Sequence, residues 1–320
     1  MISVVVPIYN EQENLAQLRR RLSHALQETQ EPWEMVLVDD GSQDQSPGIL
    51  RQFHQEDPRI KIVTLSRNFG HQPAVTAGMH HAGGDCVILI DGDLQDPPEV
   101  IPEMVRKWKE GFQVVLAQRS SRAERGARGV GFRLFYPILR AMTDLPSAPD
   151  AGIFGLMDRA VVEEFNRLPE RNRFIPGLRN WLGFRQTAVP YDRAARAAGK
   201  PKQTLGRLIR YAADGMVSFS YRPLRVATWM GFCASGVSFV LALFYFVTFF
   251  AFHKTSGGGF TTLILSVLFL GGVQLIAVGI LGEYIGRIYE EVKQRPLYVV
   301  RERLGVSPPP AHHDDSAQRP

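Results

Sequence analysis

Short apolar runs alternate with amphipathic stretches through the N-terminal part of the chain. The apolar runs predict β-strands at residues 2–6, 33–38, 60–65 and 86–90. Between them, apolar residues recur at helical spacing, which predicts helices at residues 14–27, 48–57 and 73–82. Further strands are predicted at 114–117 and 150–157. Further helices are predicted from Glu99, directly after Pro97-Pro98, and at 161–168. Strands that alternate with helices typically form parallel sheets, so the pattern predicts an α/β fold with an open, mostly parallel sheet.

Polar residues follow each of the first four predicted strands. The four endings are Tyr9-Asn10-Glu11, Asp39-Asp40-Gly41-Ser42, Ser66-Arg67-Asn68 and Asp91-Gly92-Asp93. Any one of them could be an ordinary loop. In open parallel sheets, however, ligands bind at the carboxyl ends of the strands. Four polar endings therefore favour one shared binding site.

The fourth ending carries the most specific chemistry. If the strand continued through them, Asp91 and Asp93 would point to the same side, about 7 Å apart. Two converging carboxylates repel each other unless a cation lies between them, and Mg²⁺ or Mn²⁺ prefers such oxygen ligands. An ordinary turn rich in Asp and Gly is the alternative for this tripeptide taken alone. The polar residues that follow the other three strands favour a metal site instead.

A basic segment with interleaved aromatic residues spans residues 119–140. Glu124 is the single acidic residue of the segment. Its arginines are Arg119, Arg122, Arg125, Arg128, Arg133 and Arg140. A second amphipathic stretch covers residues 205–221. Such stretches are typical of elements that lie on a membrane surface, although a solvated helix face is the alternative.

Two long stretches without charged residues follow, at 226–252 and 261–282. Each is long enough to cross a hydrocarbon core of about 30 Å, so we predict two transmembrane helices. Basic residues flank the outer ends of the pair, whereas the connecting loop has only Lys254. The positive-inside rule then places the N-terminal domain and the C-terminus in the cytoplasm. The sequence thus predicts an integral protein of the cytoplasmic membrane.

Composition narrows the choice of partners. The formal net charge is +5, which suits phosphates or anionic lipid. Nucleic acid is not expected, because the arginines do not alternate with a stacking platform. The two cysteines, Cys86 and Cys233, imply no disulfide framework. The chain begins directly with a strand-like segment, which does not have the pattern of a secretory signal peptide.

Three motifs together resemble the inverting family 2 glycosyltransferases, and more narrowly the polyprenyl-phosphate glycosyltransferases related to dolichol-phosphate mannose synthase. They are Val5-Val6-Pro7-Ile8-Tyr9-Asn10-Glu11, Val38-Asp39-Asp40-Gly41-Ser42 and Asp91-Gly92-Asp93-Leu94-Gln95-Asp96-Pro97-Pro98. The resemblance, which extends to the bactoprenol glucosyltransferases, implies a Rossmann-like GT-A fold. It also implies transfer of a hexose, glucose first, from a UDP-sugar to undecaprenyl phosphate. UDP-formamido-arabinose and GDP-mannose are the alternative donors, and a non-catalytic protein that binds nucleotide-sugar or lipid is the alternative class. A homo-oligomer, dimer or tetramer, is also implied.

The resemblance also divides the chain. It implies a GT-A catalytic domain at 1–200, an interfacial amphipathic linker at 201–225 and two transmembrane helices at 226–286. A cytoplasmic segment at 287–305 and a disordered tail at 306–320 complete the chain.

The same resemblance assigns site residues. Pro7, Tyr9, Glu11 and Asp39 would bind the base and ribose of the donor. Asp91 and Asp93, with Gln95 beside them, would bind Mg²⁺ or Mn²⁺ and through it the diphosphate.

On the acceptor side, Arg119, Arg122 and Arg133 would bind the lipid phosphate. Lys200 and Lys202 join that group and could close over the diphosphate. Asp150 is the acceptor-side carboxylate, with Asp158 as a second candidate that is better suited to cap the following helix. Ile153 and Gly155 depart from the family pattern, which commonly has an acidic residue and an arginine there.

Overall fold

A computed structural model describes residues 1–119, 151–171, 173–192, 222–252 and 259–307. These residues belong to two compact units. The first contains a β-sheet with its covering helices, and the second contains the two long C-terminal helices. Several predicted features lie outside the described residues, namely Arg122, Arg133, Asp150, Lys200, Lys202, the amphipathic stretch 205–221 and the tail after residue 307.

The described strands of the first unit form one sheet. They are β1 (Ile2–Ile8), β2 (Trp33–Asp39), β3 (Ile60–Leu65), β4 (Cys86–Leu89), β5 (Val114–Arg119), β6 (Ala151–Asp158), β7 (Gln186–Tyr191) and β8 (Val300–Leu304). Their order across the sheet is β7-β5-β6-β4-β1-β2-β3-β8. Strands β1 to β4 are parallel to one another, as are β5 and β7, whereas β6 and β8 are antiparallel to their neighbours. The predicted α/β fold with a mostly parallel sheet is confirmed.

The central strands are almost continuously apolar because both faces of the sheet are covered. Val4, Val5 and Val6 of β1 are fully buried, and every residue of β2 is buried. The helices around the sheet are α1 (Leu15–Glu28), α2 (Ser46–Glu56), α3 (His71–His81), α4 (Ile101–Lys109), α5 (Arg159–Arg167) and α6 (Ile175–Trp181). The predicted helices at 14–27, 48–57, 73–82 and 161–168 correspond to α1, α2, α3 and α5. Helix α1 buries Leu15, Leu18, Leu22 and Leu26, which are the residues that gave its helical spacing.

The structure corrects the expected geometry of the Asp-Gly-Asp tripeptide. Strand β4 ends at Leu89, so Asp91 and Asp93 lie in the turn that follows it rather than on an extended strand. The turn contains Leu94 with a positive φ of 59°. Gly92 packs so closely that a Cβ there would lie 2.9 Å from Cδ1 of Ile8. The strand spacing used to estimate the separation of the two carboxylates therefore does not apply.

Three elements of the first unit have no counterpart in the sequence predictions. Helix α6 has only seven residues, which is too short for a helical repeat to stand out. Strand β7 is half exposed and contains Pro190. Strand β8 has three consecutive charged residues between Val300 and Leu304, and it lies beyond the last helix, in the segment at 287–305 for which no strand was predicted.

The second unit consists of α7 (Arg222–Phe252) and α8 (Gly259–Val292), which pack against each other. Among the described residues, one segment is long and apolar enough to cross a membrane, Phe269–Val292, with a mean hydropathy of 1.5. In α7 the described residues give only a shorter apolar stretch, Gly231–Leu241. One candidate span is therefore observed, and the prediction of two is not confirmed.

Close packing of α3 on the sheet gives a test of the core. A Cβ at Gly78 would lie 2.2 Å from Cγ1 of Val5 and 3.1 Å from Cγ2 of Val38. We expect Gly78→Ala to lower the thermal midpoint by about 5 °C, because overpacking a core costs 1–3 kcal/mol. The measurement is thermal unfolding of the detergent-solubilised full chain.

Gly48 in α2 provides the matched control, since nothing lies within 4 Å of a Cβ placed there. Gly48→Ala should leave the thermal midpoint unchanged or raise it slightly. Equal midpoints for the two variants would contradict the packing of α3 against β1.

Candidate active site

A cavity of about 380 Å³ lies at the carboxyl ends of β1 and β4. We call it the carboxylate cavity. Five of the predicted site residues line it, namely Pro7, Tyr9, Glu11, Asp91 and Asp93. They come together because β1 and β4 are parallel neighbours, so the segments that follow the two strands leave the sheet on the same side. The remaining lining residues include Asp40, Asn68 and His71, which were not assigned from the sequence.

His71 contacts the predicted metal site directly. Its Nε2 lies 2.8 Å from Oδ1 of Asp91, and both side chains remain partly exposed to the cavity. Burial lowers the pKa of the imidazole, but the hydrogen bond to Asp91 and the charges of Asp91, Asp40 and Asp93 outweigh burial. The pKa of His71 is therefore raised above its ordinary value. The raised pKa favours a proton on Nε2 and donation to the carboxylate.

The carboxylates of this cavity fit a divalent cation. Asp91 and Asp93 could offer oxygen ligands from one short turn, and Oδ1 of Asp93 accepts from the backbone N–H of Gln95 (3.1 Å). Within the described residues there is no cluster of three or more metal-ligating side chains. A hard ion held by two carboxylates would complete its coordination with oxygen atoms of a diphosphate and with water.

Asp40 determines how the chain enters α3. Its carboxylate, only 3% exposed, accepts from the backbone N–H groups of Phe69 (2.7 Å) and Gly70 (3.0 Å). Burial raises the pKa of Asp40, and these two hydrogen bonds offset only part of that effect. The carboxylate thereby connects the loop after β2 to the loop after β3 and places His71 at the edge of the carboxylate cavity.

A second cavity, of about 330 Å³, lies at the ends of β2 and β3. We call it the Asp39 cavity. Asn68 lines both cavities, so they adjoin. Oδ1 of Asp39 accepts from the backbone N–H of Ser42 (2.9 Å). The next loop passes so close to Gly41, which has φ of 70°, that a Cβ there would lie 2.5 Å from the carbonyl carbon of Arg67.

Comparison with known proteins identifies the family. Residues 3–165 match the family described as "Glycosyl transferase family 2", and residues 222–288 match "GtrB C-terminal hairpin". The chain belongs to glycosyltransferase family 2. It is a glycosyltransferase enzyme, and its sheet is of the GT-A type that the motifs implied.

Relatives match along nearly the whole chain. The "Uncharacterized glycosyltransferase YkcC" of Bacillus subtilis is 45% identical over 95% of this chain and 94% of its own length. The "Bactoprenol glucosyl transferase" of Shigella phage SfII is 40% identical, with 94% and 97% covered. Mannosyl-3-phosphoglycerate synthase from Rubrobacter xylanophilus, a solved structure, gives a TM-score of 0.46 at 22% identity over 70% of this chain and 74% of that one.

In this family 2 glycosyltransferase, Arg119 is held near the carboxylate cavity by a chain of hydrogen bonds. Its Nε donates to the hydroxyl of Tyr191 (3.3 Å), which donates to Oδ1 of the buried Asp96 (2.5 Å). Burial and the bond to Asp96 raise the pKa of Tyr191 to about 12. Arg119 is thus positioned by β7, a strand that the sequence did not reveal. Gln95 does not line either cavity and contributes its backbone N–H instead.

Asp158 lies beside the start of β4, at the opposite end of that strand from Asp91 and Asp93. Its backbone pairs with Cys86 at the start of β4. Its carboxylate accepts hydrogen bonds from the backbone N–H of Ala160 (2.9 Å) and from Nε1 of Trp108 (2.7 Å). Its expected role as a helix cap is confirmed. Strand β6 begins at Ala151, at the end of the sheet where β4 leads into Asp91.

A buried arginine that the sequence analysis missed lies behind the start of β6. Arg179, 2% exposed, donates to the carbonyl oxygens of Gly152 (3.2 Å) and Ile153 (3.5 Å). Burial lowers the pKa of Arg179 to about 10. Its Nη1 would lie 3.0 Å from a Cβ at Gly155, so the guanidinium occupies the space beside that residue. The glycine at 155 is thereby explained by packing.

Removal of the imidazole at 71 tests the described geometry. Side chains that orient a metal ligand typically contribute 10–100-fold to metal affinity or activity. We therefore expect His71→Ala to weaken Mn²⁺ binding about tenfold, measured by electron paramagnetic resonance with UDP present. His80→Ala is the matched control, because His80 is on the same helix but contacts Tyr298 (2.7 Å) instead. Equal Mn²⁺ affinity in the two variants would show that His71 does not orient Asp91.

Proposed function

We propose that this glycosyltransferase moves glucose from UDP-glucose to a polyprenyl phosphate of the undecaprenyl type, with inversion at the anomeric carbon. Two relatives named bactoprenol glucosyl transferase, at 40% identity over 94% of the chain, support the acceptor and the sugar. The observation that carries the proposal is the grouping of Asp91, Asp93, Tyr9 and Glu11 around one cavity. This set offers ligands for a metal–diphosphate at one end and polar groups for the nucleoside at the other.

Asp91 and Asp93 would bind Mg²⁺ or Mn²⁺. When bound, the ion neutralises the charge that develops on the leaving diphosphate. The residues of the chain would orient the donor so that the acceptor phosphate can reach the face of the sugar opposite the diphosphate. An oxygen of the acceptor phosphate would form the new bond to the anomeric carbon as the bond to UDP breaks.

The acceptor needs positioning more than deprotonation. A phosphate monoester has a second pKa of about 6, so much of it is already a dianion at neutral pH. Arg119 is the described residue best placed to bind this dianion, because Tyr191 fixes its Nε near the carboxylate cavity. A guanidinium matches phosphate oxygens in a bidentate manner. Arg122, Arg133, Lys200, Lys202 and Asp150 stay predictions for the same acceptor site.

The second unit fits an acceptor that does not leave the bilayer. Helices α7 and α8 would form a transmembrane hairpin of an integral protein in the cytoplasmic membrane, and the active site would work on the cytoplasmic side. The match of residues 222–288 to a family described as a C-terminal hairpin supports this arrangement. The predicted dimer or tetramer is part of the proposal, since two helices per chain offer little membrane-buried area.

An assay of lipid-linked label tests the function. Membranes that contain the protein are incubated with undecaprenyl phosphate and, separately, with radiolabelled UDP-glucose, UDP-formamido-arabinose and GDP-mannose. We expect extractable label from UDP-glucose, abolished by EDTA and restored by Mg²⁺ or Mn²⁺. Asp93→Ala should lower transfer by at least about a hundredfold, because a metal ligand is lost.

Asp85→Ala is the matched control for Asp93→Ala. Asp85 precedes β4 at the other end of the strand, where it pairs with the N-terminal amine (2.5 Å). The control variant should retain transfer. Label from GDP-mannose or UDP-formamido-arabinose alone would replace the proposed donor, and full activity of Asp93→Ala in EDTA would overturn the site.

Reporter fusions test the topology. A reporter fused to the C-terminus should behave as cytoplasmic, and one inserted at Gly258, between the two helices, as external. The physical reason is the excess of Lys and Arg at the outer ends of the hairpin. The same side for both reporters would mean that one of the helices does not span the membrane.

A further inference from the structure

Strand β8 brings residues from beyond the last helix into the sheet of the first unit. It pairs in the antiparallel direction with β3, and the backbone N–H of Ser66 donates to the carbonyl of Val299 (2.8 Å). Side chains anchor it as well. Arg51 donates to Glu302 (2.9 Å), and Arg303 Nε lies 3.2 Å from Nε2 of His81. Strand β8 is thus held beside β3 as the outermost strand of the sheet.

The pairing contains an irregularity at Arg301. Leu65 pairs with Val300 and Thr64 pairs with Glu302, so Arg301 is the extra residue of a β-bulge. Bulges often redirect a side chain beside a binding site. Arg301 lines the Asp39 cavity, together with Asp39 at the end of β2.

Arg301 differs from the other two arginines of this cavity. Arg51 is bound to Glu302, and Arg67 stacks on the ring of Phe69 at 4.2 Å and donates to the carbonyl of Asn68 (3.2 Å). Among the described residues, the guanidinium of Arg301 makes no hydrogen bond and no ion pair. Its guanidinium remains available to a ligand of the cavity.

We infer that Arg301 contacts the nucleobase of the donor and that strand β8 completes the donor site. This inference rests on the proposed function. The diphosphate would lie in the carboxylate cavity with Asp91 and Asp93, and the ribose beside Tyr9 and Glu11, so the base would extend into the adjoining Asp39 cavity. A carboxylate accepts from a ring N–H or a ribose hydroxyl, and a guanidinium donates to ring carbonyls or stacks on the ring face. Uracil offers one N–H and two carbonyl groups, which matches this pair of side chains.

Binding measurements on the full-length protein in detergent test the inference. Dissociation constants for uridine, UMP and UDP are measured by isothermal titration calorimetry with Mn²⁺ present. Arg301→Ala should raise all three constants by about tenfold, the value of one lost charge-assisted hydrogen bond. Arg301→Lys should recover only part of the affinity, because an ammonium keeps the charge but not the planar fork.

Arg303→Ala is the matched control. It removes an arginine two residues further along the same strand, where the side chain contacts His81 and does not line the cavity. Its constants should stay within about twofold of the wild type, and both variants should keep the wild-type thermal midpoint.

Three results would overturn the inference. A loss confined to UMP and UDP would place Arg301 on a phosphate rather than on the base. Unchanged constants in Arg301→Ala, with a wild type that binds UDP and transfers sugar, would remove Arg301 from the donor site and leave the proposed function intact. A wild type that binds GDP but none of the uridine compounds would overturn the proposed donor and this inference together.

Discussion

The parallel alignment of the four central strands is the constraint on which the site depends. Strands β3, β2, β1 and β4 lie side by side and run in one direction, so their carboxyl ends form one edge. Side chains far apart in the sequence, such as Glu11 and Asp93, therefore line the same cavity.

The loops at that edge are held by buried polar groups rather than by apolar contacts. Asp40 is the clearest case, because its buried carboxylate accepts from two backbone N–H groups of the next loop. A buried carboxylate without such partners would be strongly unfavourable. Tyr191 and Asp96 do the same for Arg119 on the other side of the site. In both cases hydrogen bonds to a buried carboxylate hold the segment or side chain, which limits its freedom to move.

What could be predicted from the sequence was what a local pattern encodes. Continuous apolar runs revealed β1 to β4, and Asp91 with Asp93 stood out because two carboxylates follow a buried strand. His71 and Arg301 escaped notice for different reasons. His71 follows a loop that was recognised as a strand ending, so its position alone could have marked it. Arg301 gave no local signal, because its relevance comes from pairing across the whole chain and from a bulge that no residue pattern announces.

The long-range position of β8 has a consequence for the assembly of the site. Arg51 and Glu302, which join α2 to β8, are 251 positions apart in the chain. Contacts of such separation form late, because loop closure must occur before they contribute. During synthesis the first four strands can pair before the C-terminal helices exist, whereas β3 keeps an exposed edge until residues 300–304 are made. The Asp39 cavity therefore acquires Arg301, its residue from β8, only after the hairpin segment has been synthesised. A complete Asp39 cavity is thus found only in a chain that already carries its C-terminal helices.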